Sequence, residues 1–273
     1  MSDLNRQLAP IPPEAWQALE DEARDALKTT LAARRLVEFN GPLGWRASSV
    51  DLGRTRDVSS PVAGAEARLR KVQPLVEIRV PFVLARREID AITRGAPDPD
   101  VEPLVNAARA AARAEDTAVF SGYPEAGIDG IGSASPHAPI SLTHDYAKYP
   151  EAAAEAVRVL RNQGIGGPYA IALGPRCYAG LTRTTHSGGY PVIEHLKKVV
   201  DGPLVYAPAV DGSVLLSMRG GDFVLTVGRD FSIGYLNHDG ETVTLYLEFS
   251  FTFRNNSPEA AVPLIYTTGK GKK

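Results

Sequence analysis

A single cysteine, Cys177, occurs among 273 residues. No disulfide can therefore close within the chain, and a reducing compartment is the expected setting. A lone cysteine is usually a small buried hydrophobe. No apolar run is long enough to span a bilayer, and residues 1 to 20 lack the apolar segment of a secretory signal. A cytoplasmic location with no membrane partner is expected. A surplus of charge is missing as well: 30 Lys and Arg stand against 32 Asp and Glu, for a net charge of -2. That balance removes any general attraction to nucleic acid or an anionic surface. It also holds in the N-terminal arm, where Arg6, Arg24, Lys28, Arg34 and Arg35 face Asp3, Glu14, Glu20, Asp21, Glu22 and Asp25. This is not a basic arm that packages a genome, and no nucleic-acid partner is expected.

The spacings that carry chemistry are missing too. His137, His144, His186, His195 and His238 form no HExxH pattern, and no second cysteine exists for a zinc site, so no metal is expected. The clusters Gly127, Gly130, Gly132 and Gly164, Gly166, Gly167 match neither a dinucleotide fingerprint nor a phosphate loop and read as turns. Ser133 and Ser135 lack the second glycine of a nucleophile elbow. A dispersed Ser, His and Asp triad stays open, but no residue argues for one. No catalytic residue is named, and the chain is not expected to be an enzyme.

What is present is ordinary globular material, 44% apolar and 23% charged, with one unusual stretch. From Glu241 to Phe253, Val243, Leu245, Leu247, Phe249, Phe251 and Phe253 alternate with Thr242, Thr244, Tyr246, Glu248, Ser250 and Thr252. This predicts a strand with one buried face. At about 3.3 Å per residue it runs roughly 40 Å, which calls for an equally extended sheet or another subunit's surface as partner. Val76, Ile78, Val80 and Phe82 predict a second strand, whose Pro81 requires an edge or a bulge.

Trp16, Leu19, Ala23, Ala26, Leu27, Thr30 and Leu31 recur at helical steps after Pro12 and Pro13, predicting an amphipathic helix of about six turns that ends near Arg34 and Arg35. Residues 46–74 have no core pattern and suggest a protruding hairpin, an excursion that needs a neighbour. Helices are also expected at 84–94, at Pro103 to Phe120 where alanines dominate, at Glu151 to Asn162, and at Tyr190 to Val200. Apolar runs at Tyr169 to Leu173, Leu204 to Ala207 and Val214 to Met218 complete a compact α+β segment. The basic end, Gly269 to Lys273, reads as a solvated tail.

Two segments, Arg219-Gly220-Gly221-Asp222-Phe223-Val224-Leu225 and Val227-Gly228-Arg229-Asp230-Phe231-Ser232-Ile233-Gly234-Tyr235, closely resemble the C-terminal part of encapsulin shell proteins. Gly-Pro-x-Gly-Trp at Gly41 to Trp45, Pro74-Leu75-Val76-Glu77-Ile78-Arg79, Glu115-Asp116, Gly167-Pro168-Tyr169 and Gly189-Tyr190-Pro191 follow the family's order over nearly the whole chain. The resemblance is to family 1, the linocin-type group.

It implies an α+β fold, the tailed-phage major capsid fold of Hong Kong 97 type. The implied division is an N-terminal helical arm over 1–45, an extended loop over 46–80, a peripheral domain over 81–135 and 213–265, an axial domain over 136–212, and a basic tail over 266–273. The implied function is a self-assembling icosahedral shell, smallest at sixty copies (T=1), that encloses a cargo enzyme. That cargo is a dye-decolorising peroxidase or a ferritin-like protein carrying a C-terminal targeting peptide. By the same resemblance, the peptide docks on Leu27, Leu31, Arg34, Glu38 and Phe39 on one side and Asp230, Phe231 and Ile233 on the other. Apolar anchors would hold its Leu or Ile residues, and Arg34, Glu38 and Asp230 would pair with its charges. All eight residues can equally be domain packing, the reading favoured for Phe231 and Ile233. Arg34 and Glu38 form an i, i+4 pair if the helix continues that far.

Thr182 to Tyr190 would line the five-fold opening: Arg183, Thr184, Thr185, His186, Ser187, Gly188, Gly189 and Tyr190. Arg183 and His186 would bias it toward anions, the more so when acid protonates the imidazole. Relatives that hold a flavin do so against a Trp where this chain has Arg86 and Arg87, so no cofactor is expected. A viral capsid protein shares the implied fold, and a soluble hydrolase is the remaining alternative.

Overall fold

A computed structural model of the chain describes residues 3–186 and 188–266. The first half contains α1 (Pro13–Thr30), β1 (Glu38–Asn40), β2 (Ser49–Val58), β3 (Ala67–Pro74), β4 (Val76–Ala85), α2 (Arg86–Thr93), α3 (Glu102–Ser121) and β5 (Ile140–Leu142). There follow α4 (Tyr149–Asn162), β6 (Tyr169–Leu173), α5 (Pro175–Arg183), α6 (Val192–Val200), β7 (Leu204–Tyr206), β8 (Ser213–Ser217), β9 (Phe223–Val227), β10 (Ser232–His238), β11 (Thr242–Asn255) and β12 (Ala261–Tyr266).

The predicted long strand is β11, and its partner is a sheet within the same chain. Along one edge it pairs antiparallel with β4 from Thr242↔Ala85 to Phe251↔Val76. Along the other it pairs with β10 and then β9, and β9 carries β1 in parallel. Among the described strands β4 pairs only with β11, so Pro81 lies on an edge strand, where proline is tolerated. Helix α3 lies across β4 and β11, with α1 packed on α3. Phe249, Phe251 and Phe253 are fully buried there.

The expectation of one open face on this strand is corrected, because Tyr246, Glu248, Ser250 and Thr252 are buried as well. Over Tyr246 and Glu248 the cover is polar and made by arginine. Glu248 accepts from Nε of Arg79 at 2.8 Å and from Nη1 of Arg229 at 3.1 Å, and the Arg229 guanidinium lies 4.1 Å from the Trp45 ring. Tyr246 lies over Gly234, where an added Cβ would come within 2.2 Å of its ring, so glycine is required by close approach.

A second sheet runs β5-β12-β8-β6-β7, with α4, α5 and α6 around it. Every residue of β6 and β8 is buried. The division expected at 212/213 cuts through this sheet, since β8 and β12 pair with β5 and β6 from the 136–212 segment. Parallel β5 and antiparallel β8 flank β12, so the chain returns to this layer at its end. The expected tail lies, apart from Tyr266, outside the described residues.

Strands β2 and β3 form the predicted hairpin, paired from Ser49↔Pro74 to Val58↔Ala67. Almost all of it is exposed, including Val58, Val62, Leu69 and Val72. Its root is tied down by Gln73, whose side chain donates to the Gly127 carbonyl at 2.8 Å. A two-stranded ribbon that buries so little is marginal in water by itself.

Candidate functional site

Leu19, Ala23 and Leu27 are buried at four-residue steps along α1, which sets one face of this helix against α3. Helix α1 then stops at Thr30, short of the predicted end, and Leu31 is already extended. The cause is a clamp on α3. Asp116 accepts the N–H groups of Ala32 and Ala33, both at 2.9 Å, so backbone that could have continued the helix is held by a side chain instead. A single 3-10 turn, Ala33–Arg35, follows. The expected i, i+4 pairing of Arg34 with Glu38 is therefore corrected, because Glu38 begins strand β1 and its carboxylate accepts from the Gly221 N–H at 2.9 Å.

Arg34 is turned inward. Its Nε and Nη2 donate to the two oxygens of fully buried Glu115 at 2.8 and 2.7 Å, and its Nη1 donates to Asp230 at 2.8 Å. The guanidinium carbon also lies 4.7 Å from the Phe231 ring centroid and 5.1 Å from that of Phe39. Burial pushes the Glu115 carboxyl up, and Arg34 pulls it back. Burial likewise raises Asp116, to about 7, against the pull of the Ala33 and Ala32 N–H groups.

This clamp leaves a cleft of about 410 Å³ between α1 and the start of β10. Leu27, Leu31, Arg34, Asp230, Phe231 and Ile233 all line it. Glu38 and Phe39 do not. Glu38 lines a smaller hollow near Gly221, and Phe39 stays exposed with its ring at Arg34. Ile233 is almost wholly buried and Phe231 half-buried, 4.4 Å from the Phe249 ring, so both serve packing as well as the cleft wall.

The rim holds residues that sequence reasoning did not select. Arg6 donates to the Ile233 carbonyl at 2.7 Å and pairs with Glu20, while Arg24 and Lys28 pair with Asp21 and Asp25 in exposed i, i+3 contacts. Such pairs contribute little and exchange readily. With Arg34 committed to Glu115, Arg24 and Lys28 are the cations best able to receive a carboxylate at this cleft. Their sequence signal is the run of opposite charges at three-residue steps, Asp21 with Arg24 and Asp25 with Lys28, on the solvent side of α1.

The predicted opening residues lie between α5 and α6. Arg183 ends α5, Thr184 donates through Oγ1 to the Gly180 carbonyl at 2.8 Å, and Thr185 bridges to Pro191. The His186 N–H donates to the Tyr190 carbonyl at 2.9 Å, and Gly188, Gly189 and Tyr190 are exposed. Ser187 lies outside the described residues. Among the described residues no group of three or more His, Cys, Asp or Glu side chains could hold a metal, and no helix is long and apolar enough to cross a membrane.

Comparison with known proteins adds to this geometry. Residues 1–252 match the family model described as encapsulating protein for peroxidase. A type 1 encapsulin shell protein of Rhodospirillum rubrum is 54% identical over 270 residues, 97% of this chain and 96% of that protein. Among solved structures, a virus-like particle from Pyrococcus furiosus superposes with a TM-score of 0.64 at 18% identity, covering 92% of this chain and 99% of that one. Microbacterium phage Oxtober96 does so with a TM-score of 0.56 at 15% identity, covering 87% and 91%. At such identities these two show the fold, and it is the capsid fold of Hong Kong 97 type.

The clamp yields two expected outcomes. Arg34→Met leaves Glu115 buried without its partner and should cost about 3–5 kcal/mol in denaturant melts, most of it recovered in the Arg34→Met/Glu115→Met double variant. Between pH about 4 and 7 the native state keeps a proton on Asp116 that the unfolded chain releases, so stability falls as pH rises through this window. Asp116→Asn should remove that component, and the stability difference between wild type and variant should change by up to about 1.4 kcal/mol per pH unit. Parallel pH profiles for the two proteins would contradict it.

Proposed function

This chain belongs to the encapsulin shell-protein family, and from that membership we propose that its cage is the smallest icosahedral one, sixty copies enclosing an enzyme bound through a C-terminal peptide. The chain is a structural shell subunit and not an enzyme, and its copies build a capsid-like particle. The finer reading is supported first by the hairpin. Val58, Val62, Leu69 and Val72 stand exposed on a ribbon roughly 30 Å long, apolar surface that a neighbouring copy would cover. Each copy then contributes several modest contacts that add up over a closed particle.

The cleft between α1 and β10 is the proposed seat of the cargo peptide. Leu27, Leu31, Phe231 and Ile233 offer apolar contact for Leu or Ile side chains, and Arg24 and Lys28 stand at the rim for an acidic group. A volume of about 410 Å³ suits two or three such side chains rather than a folded domain. The family's description as an encapsulating protein for peroxidase supports a peroxidase as the guest, and a ferritin-like protein is the other expected class. The loop after α5 is the proposed lining of the five-fold opening, with residues 1–45, 46–80 and the two sheets as arm, extended loop, peripheral and axial parts.

Loading tests the cleft directly. A fluorescent protein bearing a C-terminal Leu- and Ile-containing peptide should co-elute with particles of the wild type. With Leu31→Asp, which changes a half-buried wall residue outside the clamp, particles should still form but peptide affinity should drop about 30-fold or more, the scale of a lost apolar anchor. Undiminished loading would place the dock elsewhere.

A further inference from the structure

His186 and His195 lie nine positions apart, one in the loop after α5 and the other on the exposed face of α6, yet their rings meet. Nδ1 of His195 is 3.3 Å from Nε2 of His186, the centroids are 5.3 Å apart, and the ring planes are inclined by 59°. The backbone fixes this meeting. The Val192 N–H donates to the Thr184 carbonyl at 3.1 Å, Thr185 bridges to Pro191, and the His186 N–H donates to the Tyr190 carbonyl. These bonds fasten the base of the loop to the first turn of α6, and so hold the two imidazoles side by side.

We propose that this pair is a two-imidazole site for a divalent first-row transition cation such as Zn²⁺, Ni²⁺ or Cu²⁺. Two nitrogens that each stand about 2.0–2.1 Å from one tetrahedral ion are about 3.3–3.4 Å from each other, which is the spacing found here. It is long for a hydrogen bond between nitrogens. Neutral imidazole is a preferred ligand for these cations, whereas Mg²⁺ and Ca²⁺ want oxygen donors that the pair does not supply. With two protein ligands the remaining positions belong to water, so the site is open and its affinity modest.

The neighbouring cations do not stand against it. Lys197 is paired with Glu194 at 2.6 Å, and Lys198 lies 5.2 Å from the Tyr190 ring centroid. Arg183 is exposed at the end of α5.

The consequence is mechanical as well as chemical. An ion held by both rings staples the loop at His186 to α6, across the segment that contains Gly188 and Gly189, the latter at φ +78. The loop would then be less free to move. If it lines the five-fold opening, as proposed above, the ion would stiffen that opening. Binding itself does not rest on that reading, because both ligands come from one chain and can be titrated whether or not the chain assembles.

The test is calorimetric titration of metal-free protein with Zn²⁺, with Mg²⁺ as control, joined to pulsed electron paramagnetic resonance of the Cu²⁺ form. The expected result is one Zn²⁺ per chain, no Mg²⁺ response, and two coordinated imidazole nitrogens in the Cu²⁺ spectrum. His186→Asn and His195→Asn should each weaken Zn²⁺ by more than the ~10–100-fold that loss of an outer-sphere partner costs, with particle size unchanged. Stoichiometry and affinity that are the same in both variants, or a single-imidazole Cu²⁺ spectrum in the wild type, would overturn the site.

Discussion

Two adjacent carboxylates on α3 govern where the N-terminal part of the chain goes. Asp116 takes two backbone N–H groups just past α1, and Glu115 takes the guanidinium of Arg34. Neither carboxylate is exposed, so each would be costly without its partners. Together they end the helix at a fixed residue, turn the chain into β1, and direct Arg34 toward Asp230 at the entrance to β10. The cleft is the space left over. A helix two turns longer would have carried Leu31 and Arg34 along a straight axis, away from the positions where they now form the wall.

This explains which parts of the fold could be read in advance. The period-2 pattern of β11 fixed its inner face, because six apolar side chains have to share one side. Its other face was misread as open, since Glu248 and Tyr246 look solvated until Arg79 and Arg229 arrive from positions 169 and 19 residues away. Helix α1 showed its burial stripe but not its end, because the residue that ends it, Asp116, is 83 and 84 residues distant from the N–H groups it takes. Helix α5 went unnoticed. It is short and holds Gly180, which reads as a turn, yet a Cβ there would come within 2.2 Å of the Tyr146 ring. Strand β12, with Pro263 in its middle, becomes a strand only through β5 and β8.

The candidate site was legible to a similar degree. Six of its eight residues come together because family motifs near Asp230 and the amphipathic stripe of α1 are both local features. Glu38 and Phe39, expected there by family resemblance, do not line this cleft, and only the i, i+4 pairing of Arg34 with Glu38 depended on a helix that continues past Thr30. Arg34 secures the cleft from inside through Glu115 and Asp230, which is why the exposed cations Arg24 and Lys28 are the ones proposed to meet a ligand.

The hairpin carries the larger consequence. A folded chain with two well-filled sheets nevertheless holds out residues 49–74 with Val58, Val62, Leu69 and Val72 exposed, a ribbon that is marginal by itself and that, on the proposed reading, another copy receives. Native mass measurement with imaging of the purified protein tests this most directly. Closed hollow particles near 1.8 MDa, sixty copies of the 29.2 kDa chain, are the predicted result. A stable monomer or dimer that never forms spheres would contradict the account.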